Sequence, residues 1–252
     1  MKSKLSIRDL SFTYADGTEA LRDVQLDIMP NELFVLFGPS RAGKTTLLRL
    51  LNRLADLLDN TQRTGEILFN GRDIFAPALD VISLRRRIGM VFAVPTPLPG
   101  SIYDNLAYGL LMAGMRDRRA INERVERSLR QAALWDEVKD RLQDSAFALS
   151  GGQKQRMCLA RSLVLEPEVI LLDNPTSGLD PISTAMVEKS LFELKEQYTI
   201  IMVPHSVQQA SRVADRAAFL LDGNVVEIGS QQQIFIHPQD RRTEDYVTGR
   251  FG

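Results

Sequence analysis

Gly38-Pro39-Ser40-Arg41-Ala42-Gly43-Lys44-Thr45-Thr46 has the spacing G-x-x-x-x-G-K-T. Such a loop gathers successive backbone N–H groups into a concave anion site, and the positive end of the helix that follows points at the same place. Lys44 would reach the β- and γ-phosphates of a nucleotide, and the Thr45 hydroxyl would bind Mg²⁺. A second glycine-containing loop, Ser150-Gly151-Gly152-Gln153, also opens a helix and offers N–H groups to an anion. Asp173 ends an apolar run, where a Mg²⁺-binding carboxylate sits in nucleotide sites of this kind. His205 follows the buried run 199–203. A lone histidine is by default a satisfied core residue, but at the carboxyl end of a parallel strand the ligand reading is better. Tyr14 ends the first strand, either as an edge aromatic or as a platform for adenine, and its chemistry alone does not choose.

The elements that must hold these groups are legible in outline. The loop follows Leu33-Phe34-Val35-Leu36-Phe37, too short and β-rich for a helix, and precedes Leu47-Leu48-Arg49-Leu50-Leu51, which has helical spacing. Before it, 5–14 alternates as a half-buried strand, Asp16-Gly17 signals a turn, and Val24, Leu26 and Ile28 alternate again, giving an antiparallel sheet. After it come a short strand over 65–71 closed by Asn70-Gly71, a basic segment at 83–87 expected on a solvated helix face, and a core strand over 88–93. The Pro-rich stretch 94–100 cannot be regular structure. Ser101 is placed to cap a helix over 102–112, and Asp117 an amphipathic run over 118–134, with Trp135 packing just beyond. Helices over 157–165 and 182–195 alternate with the strands at 168–173 and 199–203, and a hairpin follows, turning at Gly223-Asn224. No internal repeat or low-complexity tract interrupts this order.

With 252 residues, 44% hydrophobic and 25% charged, the chain has enough apolar surface for one large domain or a core with a subdomain. A formal net charge of −1 provides no global field to recruit nucleic acid or anionic lipid. Cys158 is the only cysteine, so there is no intrachain disulfide, and a reducing compartment fits. No apolar run approaches the ~18 residues of a membrane span, and the N-terminal stretch has no signal-peptide core. A cytoplasmic protein that reaches a membrane only through a partner is expected.

The loop at Gly38, Leu149-Ser150-Gly151-Gly152-Gln153, Asp173, Ser177-Gly178-Leu179-Asp180 and His205, in this order, resemble the ATP-binding subunit of ABC transporters over essentially the whole chain. Leu84-Arg85-Arg86-Arg87, Ser101-Ile102-Tyr103-Asp104-Asn105 and the stretch from Arg242 to Gly252 are similar to the subgroup that serves bacterial phosphate importers. The resemblance implies an α/β phosphate-loop core with an antiparallel β subdomain, about 1–92 and 166–252, and an inserted helical subdomain at about 93–165. It implies ATP and Mg²⁺ as ligands, with Tyr14 stacked on adenine and Thr45 and Asp173 at the metal. Lys44, His205 and the residue at 174 would serve catalysis. It also implies a head-to-tail dimer, with itself or a paralogue, in which Ser150, Gly151, Gly152 and Gln153 of one copy close on the phosphate loop of the other. The stretch from Ala93 to Tyr103 would face transmembrane permease subunits, placing the protein on the inner face of the membrane with no nucleic acid involved.

Three positions depart from the family pattern. Asn174 stands where a glutamate usually polarises the attacking water, Ala93 where a glutamine usually contacts Mg²⁺ or water, and Arg41 where the phosphate loop usually has glycine. An amide has no useful basicity near neutral pH. The expectation is therefore an energy-coupling ATPase of an importer, set against a nucleotide-gated regulatory or partner subunit that binds ATP and turns it over slowly. A soluble relative acting on nucleic acid or ribosomes is disfavoured by the single cassette and the near-neutral charge.

Overall fold

The computed structural model describes residues 2–250; Met1, Phe251 and Gly252 lie outside it, the last two being the end of the C-terminal stretch quoted above. The chain runs β1 (Leu5–Thr13), β2 (Glu19–Ile28), β3 (Leu33–Phe37), α1 (Lys44–Leu51), β4 (Gln62–Phe69), β5 (Arg72–Asp73), α2 (Val81–Arg87) and β6 (Ile88–Val91). Four helices follow: α3 (Ile102–Met112), α4 (Arg118–Gln131), α5 (Trp135–Val138) and α6 (Gly151–Leu163). Then come β7 (Val169–Asp173), α7 (Pro181–Leu194), β8 (Thr199–Val203), α8 (Val207–Val213), β9 (Arg216–Leu221), β10 (Asn224–Ser230), α9 (Gln231–Phe235) and α10 (Arg241–Val247).

The strands form two sheets. An antiparallel sheet has the order β2-β1-β4-β5, and a six-stranded sheet has the order β10-β9-β3-β8-β7-β6, parallel except for β10. All five residues of β3 and all five of β8 are buried, as expected of strands covered on both faces. Their alternation divides the interior. Leu33, Val35, Phe37, Ile200 and Met202 face a core shared with α3, α4 and α6, while Phe34, Leu36, Ile201 and Val203 face a core shared with the antiparallel sheet and α1.

In β1 the buried set changes phase, from Leu5 and Ile7 to Leu10 and Phe12. The pairing shifts between Ile7 and Leu10, and Asp9 lies at φ 49, so one extra residue is absorbed as a bulge and the apolar face is kept.

Several elements differ from the bounds expected from sequence; β4, for one, runs 62–69 rather than 65–71. Helix α4 stops at Gln131 rather than 134, because Ala133 turns left-handed at φ 51 and the N–H of Leu134 bonds back to the Leu129 carbonyl at 2.8 Å. Helix α6 begins at Gly151, well before 157: the Ser150 hydroxyl accepts from Gln153 N–H at 3.3 Å, and the Gln153 side chain accepts from Ser150 N–H at 3.0 Å, a reciprocal cap. Strand β6 ends at Val91, so Phe92 and Ala93 already belong to the loop. Helix α3 keeps its expected bounds, with Ser101 and Asp104 forming a second reciprocal cap.

Candidate functional site

The order β3-β8-β7 puts the carboxyl ends of three parallel strands side by side, which is where ligands collect in such sheets. The phosphate loop leaves β3 through Gly38 at φ 143, where a Cβ would lie 2.0 Å from the Leu220 carbonyl oxygen. It enters α1 through Gly43 at φ 95, where a Cβ would meet the Ala20 carbonyl oxygen at 2.3 Å. Only glycine fits either position. Between them Arg41 holds φ 66, a left-handed conformation that costs a residue with a side chain about 1 kcal/mol. The glycine-like backbone is thus kept at the position where the sequence departs from glycine.

Lys44 Nζ donates to the carbonyls of Gly38 at 2.8 Å and Pro39 at 2.6 Å, so the ammonium lies across the mouth of its own loop. Burial pushes the Lys44 ammonium below its ordinary value, and the nearby Asp173 carboxylate opposes that shift. The Thr45 hydroxyl donates to Asp173 at 3.1 Å. These are hard oxygen donors of the kind Mg²⁺ takes when it keeps most of its shell for water and phosphate, so the residues present fit that ion.

An open pocket of about 570 Å³ lies against the loop. Arg41 to Thr46 line one side, and Tyr14, Asp16, Thr18 and Ala20 the other. The Tyr14 hydroxyl pairs with the Thr46 hydroxyl at 2.7 Å, which fixes the phenol against the start of α1. Asp16, Thr18 and Ala20 were not expected here; Asp16-Gly17 signalled only a turn, and the pairing of β1 with β2 carries that turn to the pocket.

Asn174 follows Asp173 at φ 54 and donates its N–H to the Val203 carbonyl at 2.9 Å, two residues before His205. Its Oδ1 is buried with no partner. His205 has an exposed side chain, while its N–H donates to Gln209 Oε1 at 2.9 Å. Gln209 Nε2 donates to the Thr176 hydroxyl at 2.9 Å and to Glu188 at 2.9 Å, so one buried amide ties the loop after β7 to the loop after β8. Sequence reading missed Gln209, since a glutamine in a short helix carries no signal of burial.

The second glycine loop is not part of this pocket: among the described residues lining it, none comes from 150–153. Two of the N–H groups expected to be free there, those of Ser150 and Gln153, are spent on the helix cap, and Gln153 Nε2 donates to Glu137 at 2.8 Å. Next to it on α6, the side chain of the buried Gln155 donates to the Phe92 carbonyl at 3.0 Å, at the root of the loop carrying Ala93.

The sequence profile of the family described as ABC transporter matches residues 21–177. The chain is 50% identical over 248 residues, 98% of each sequence, to the phosphate import ATP-binding protein PstB 1 of Streptococcus agalactiae serotype III (strain NEM316). It is 51% identical over 252 residues, all of both chains, to the phosphate import ATP-binding protein PstB 2 of Lactobacillus acidophilus. Among solved structures it superposes on cbiO1 of Clostridium perfringens, part of the ABC transporter complex cbiONQ, with a TM-score of 0.82 at 28% identity, covering 99% of this chain and 97% of the other. A bacterial Atm1-family ABC exporter with ATP bound gives a TM-score of 0.83 at 25% identity, over 100% of this chain and 42% of that one.

Proposed function

The chain belongs to the ABC transporter family, and from that premise we propose that it is the ATP-binding, energy-coupling subunit of an importer of inorganic phosphate. The observation that carries the reading is the joined pair of Lys44 in the phosphate loop and Thr45 on Asp173, at the carboxyl edge of the parallel sheet. Full-length identity of about half to two phosphate import ATP-binding proteins supports the cargo.

The loop N–H groups and Lys44 hold the phosphates, Thr45 and Asp173 hold Mg²⁺, and Tyr14 offers its ring to the base. The ion would supply charge neutralisation on the phosphates. Ser150, Gly151, Gly152 and Gln153 act from a second copy, or from a paralogue, by closing over the phosphate loop in a head-to-tail dimer. On this reading residues from about 93 to 165 make the helical subdomain, and the rest the phosphate-loop core with its antiparallel β subdomain. Phe92, at the root of the Pro-rich loop, and Val94 and Leu98 within it are exposed, as a docking face for transmembrane permease subunits needs. No helix among the described residues is long and apolar enough to cross a membrane, so on this reading the protein rests on the inner face through those subunits.

Asn174 favours a second reading for the rate. An amide oxygen can accept a hydrogen bond but cannot take a proton, so on this reading Asn174, whose Oδ1 has no partner, would orient the attacking water without acting as a base. His205, in the loop after the neighbouring strand, is the other group this reading assigns to that water. Such a site holds ATP and the closed dimer for longer than one with a carboxylate there. The test is reconstitution with the membrane subunits. Phosphate uptake should require ATP and vanish in Lys44→Ala. Uptake that persists in Lys44→Ala, or that carries a different solute, overturns the assignment.

A further inference from the structure

Arg41 and Lys44 are the two cations lining the pocket, and they differ in what already compensates them. Lys44 is half-buried, bonded to two carbonyls of its own loop and faced by Asp173. The Arg41 side chain is exposed and, among the described residues, has neither an ion pair nor a hydrogen bond. Some arginines elsewhere meet carboxylates, Arg53 with Asp56 at 2.7 Å, Arg87 with Glu168 at 2.6 Å and Arg216 with Glu32 at 3.0 Å, and of those that do not, such as Arg49 and Arg72, none but Arg41 among the described residues lines this pocket. Asp16 lines the far side of the pocket, but its carboxylate accepts from Thr18 N–H at 2.8 Å and forms no pair with Arg41. The loop therefore presents a free guanidinium at a backbone position, φ 66, that glycine would occupy without strain.

We propose that the Arg41 guanidinium is a second polyphosphate-binding cation, gripping the di- or triphosphate of the nucleotide beside Lys44. A guanidinium offers paired N–H donors that match two phosphate oxygens, so it adds directed bonds as well as charge. The proposal rests on the pocket being the nucleotide site and adds to that reading a residue acting through its side chain, whereas the rest of the loop acts through its backbone. Because Arg41 is exposed, its contribution is screened by salt, unlike that of the half-buried Lys44.

The experiment is calorimetry of the full-length protein with MgATP, MgADP and AMP at low and high ionic strength, with thermal melting alongside. The wild type is compared with Arg41→Gly, Arg41→Gln and Arg41→Lys, and with Lys44→Ala as a control. Arg41→Gly should melt higher yet bind ATP and ADP about tenfold more weakly, the size expected for one hydrogen bond between charged groups. Its affinity should also depend less on salt, and AMP should be affected least. Arg41→Gln keeps the strained backbone and removes the charge, so it should lose the same affinity without the gain in melting temperature; Arg41→Lys should fall between. If Arg41→Gly and Arg41→Gln bind ATP like the wild type with the same salt dependence, while Lys44→Ala loses binding, the proposal is overturned and the nucleotide site stands. A wild-type protein that binds no ATP overturns both.

Discussion

The hydroxyl of Thr45 reaches the carboxylate of Asp173 at 3.1 Å, although 128 residues separate them in the chain. One residue opens α1 and the other ends β7, so the contact exists only because β8 lies between β3 and β7. Removing either oxygen should therefore disrupt Mg²⁺ dependence and leave the fold intact. Asp173→Asn keeps the shape and removes the charge; ATP binding with and without Mg²⁺ should become nearly equal. It should also lower the Lys44 pKa further, because burial would then act without its opposing carboxylate. A Mg²⁺ titration in which Asp173→Asn matches the wild type would refute the metal assignment.

Asn174 sits at φ 54, a conformation asparagine tolerates better than glutamate does. Asn174→Glu should thus cost about 1 kcal/mol of stability through the backbone while adding a base. Positioned general-base catalysis is typically worth about 10²–10⁴-fold, so turnover should rise steeply at nearly constant ATP affinity. Ala93→Gln, which on the proposed reading adds a group beside the same water, should act non-additively with it. Steady-state ATPase assays on the two single variants and the double variant decide this. A double variant no faster than the wild type would place the block elsewhere.

Glu168 precedes β7 and joins three segments, bonding Lys4 at 2.5 Å, Arg87 at 2.6 Å and Asn70 at 2.9 Å. Burial alone would raise its pKa, but the bonds from Arg87, Lys4 and Asn70 outweigh it and bring the value from 4.5 to about 2. A depressed carboxyl stabilises the fold fully above its unfolded pKa. That stability is lost as pH falls from 4.5 towards 2. With the side chain 35% exposed, solvent screening leaves about 1–2 kcal/mol. Glu168→Gln should be less stable than the wild type at neutral pH by that amount, and the gap should close in acid. Urea melts across pH check it, and a gap that persists unchanged below pH ~2 counts against the ion cluster.

What the sequence displayed was local. The strand-loop-helix at Leu33 to Leu51 and the capping serine at 101 depend on neighbours within a few positions, so residue order alone predicts them. The phase change in β1 was hidden because a bulge at Asp9 needs the partner strands to reveal it. The end of α4 was hidden because an alanine, not a glycine, takes the left-handed turn at 133. The candidate site was legible as a set of residues but not as an arrangement. Nothing in the order of Thr176, Glu188 and Gln209 announces one buried network, and the self-capping of Ser150 with Gln153 competes with the anion-binding role their types suggested.

The bond from Gln155 to the Phe92 carbonyl places a buried amide of α6 at one end of the 92–101 loop. At the other end Arg161 Nη1 donates to Asn105 Oδ1 at 3.2 Å, and Asn105 accepts from Leu98 N–H at 2.7 Å while donating to the Leu98 carbonyl at 3.0 Å. One helix thus pins both ends of a stretch that has no regular structure of its own. Gln155→Leu removes the donor but also the buried Oε1, which has no partner. The lost bond, about 1 kcal/mol, is offset in part by relieving that unsatisfied acceptor, so global stability should change little. The loop should respond far more, because Phe92 is already 43% exposed and the lost bond is what ties its carbonyl to α6. Amide exchange over 92–98 should quicken in Gln155→Leu while exchange in β7 and β8 stays at the wild-type rate. Gln155→Glu, which aims a buried carboxylate at a carbonyl, should loosen the same stretch and lower the melting temperature as well. Unchanged exchange over 92–98 in both variants would mean that Asn105 and the sheet hold the loop without Gln155.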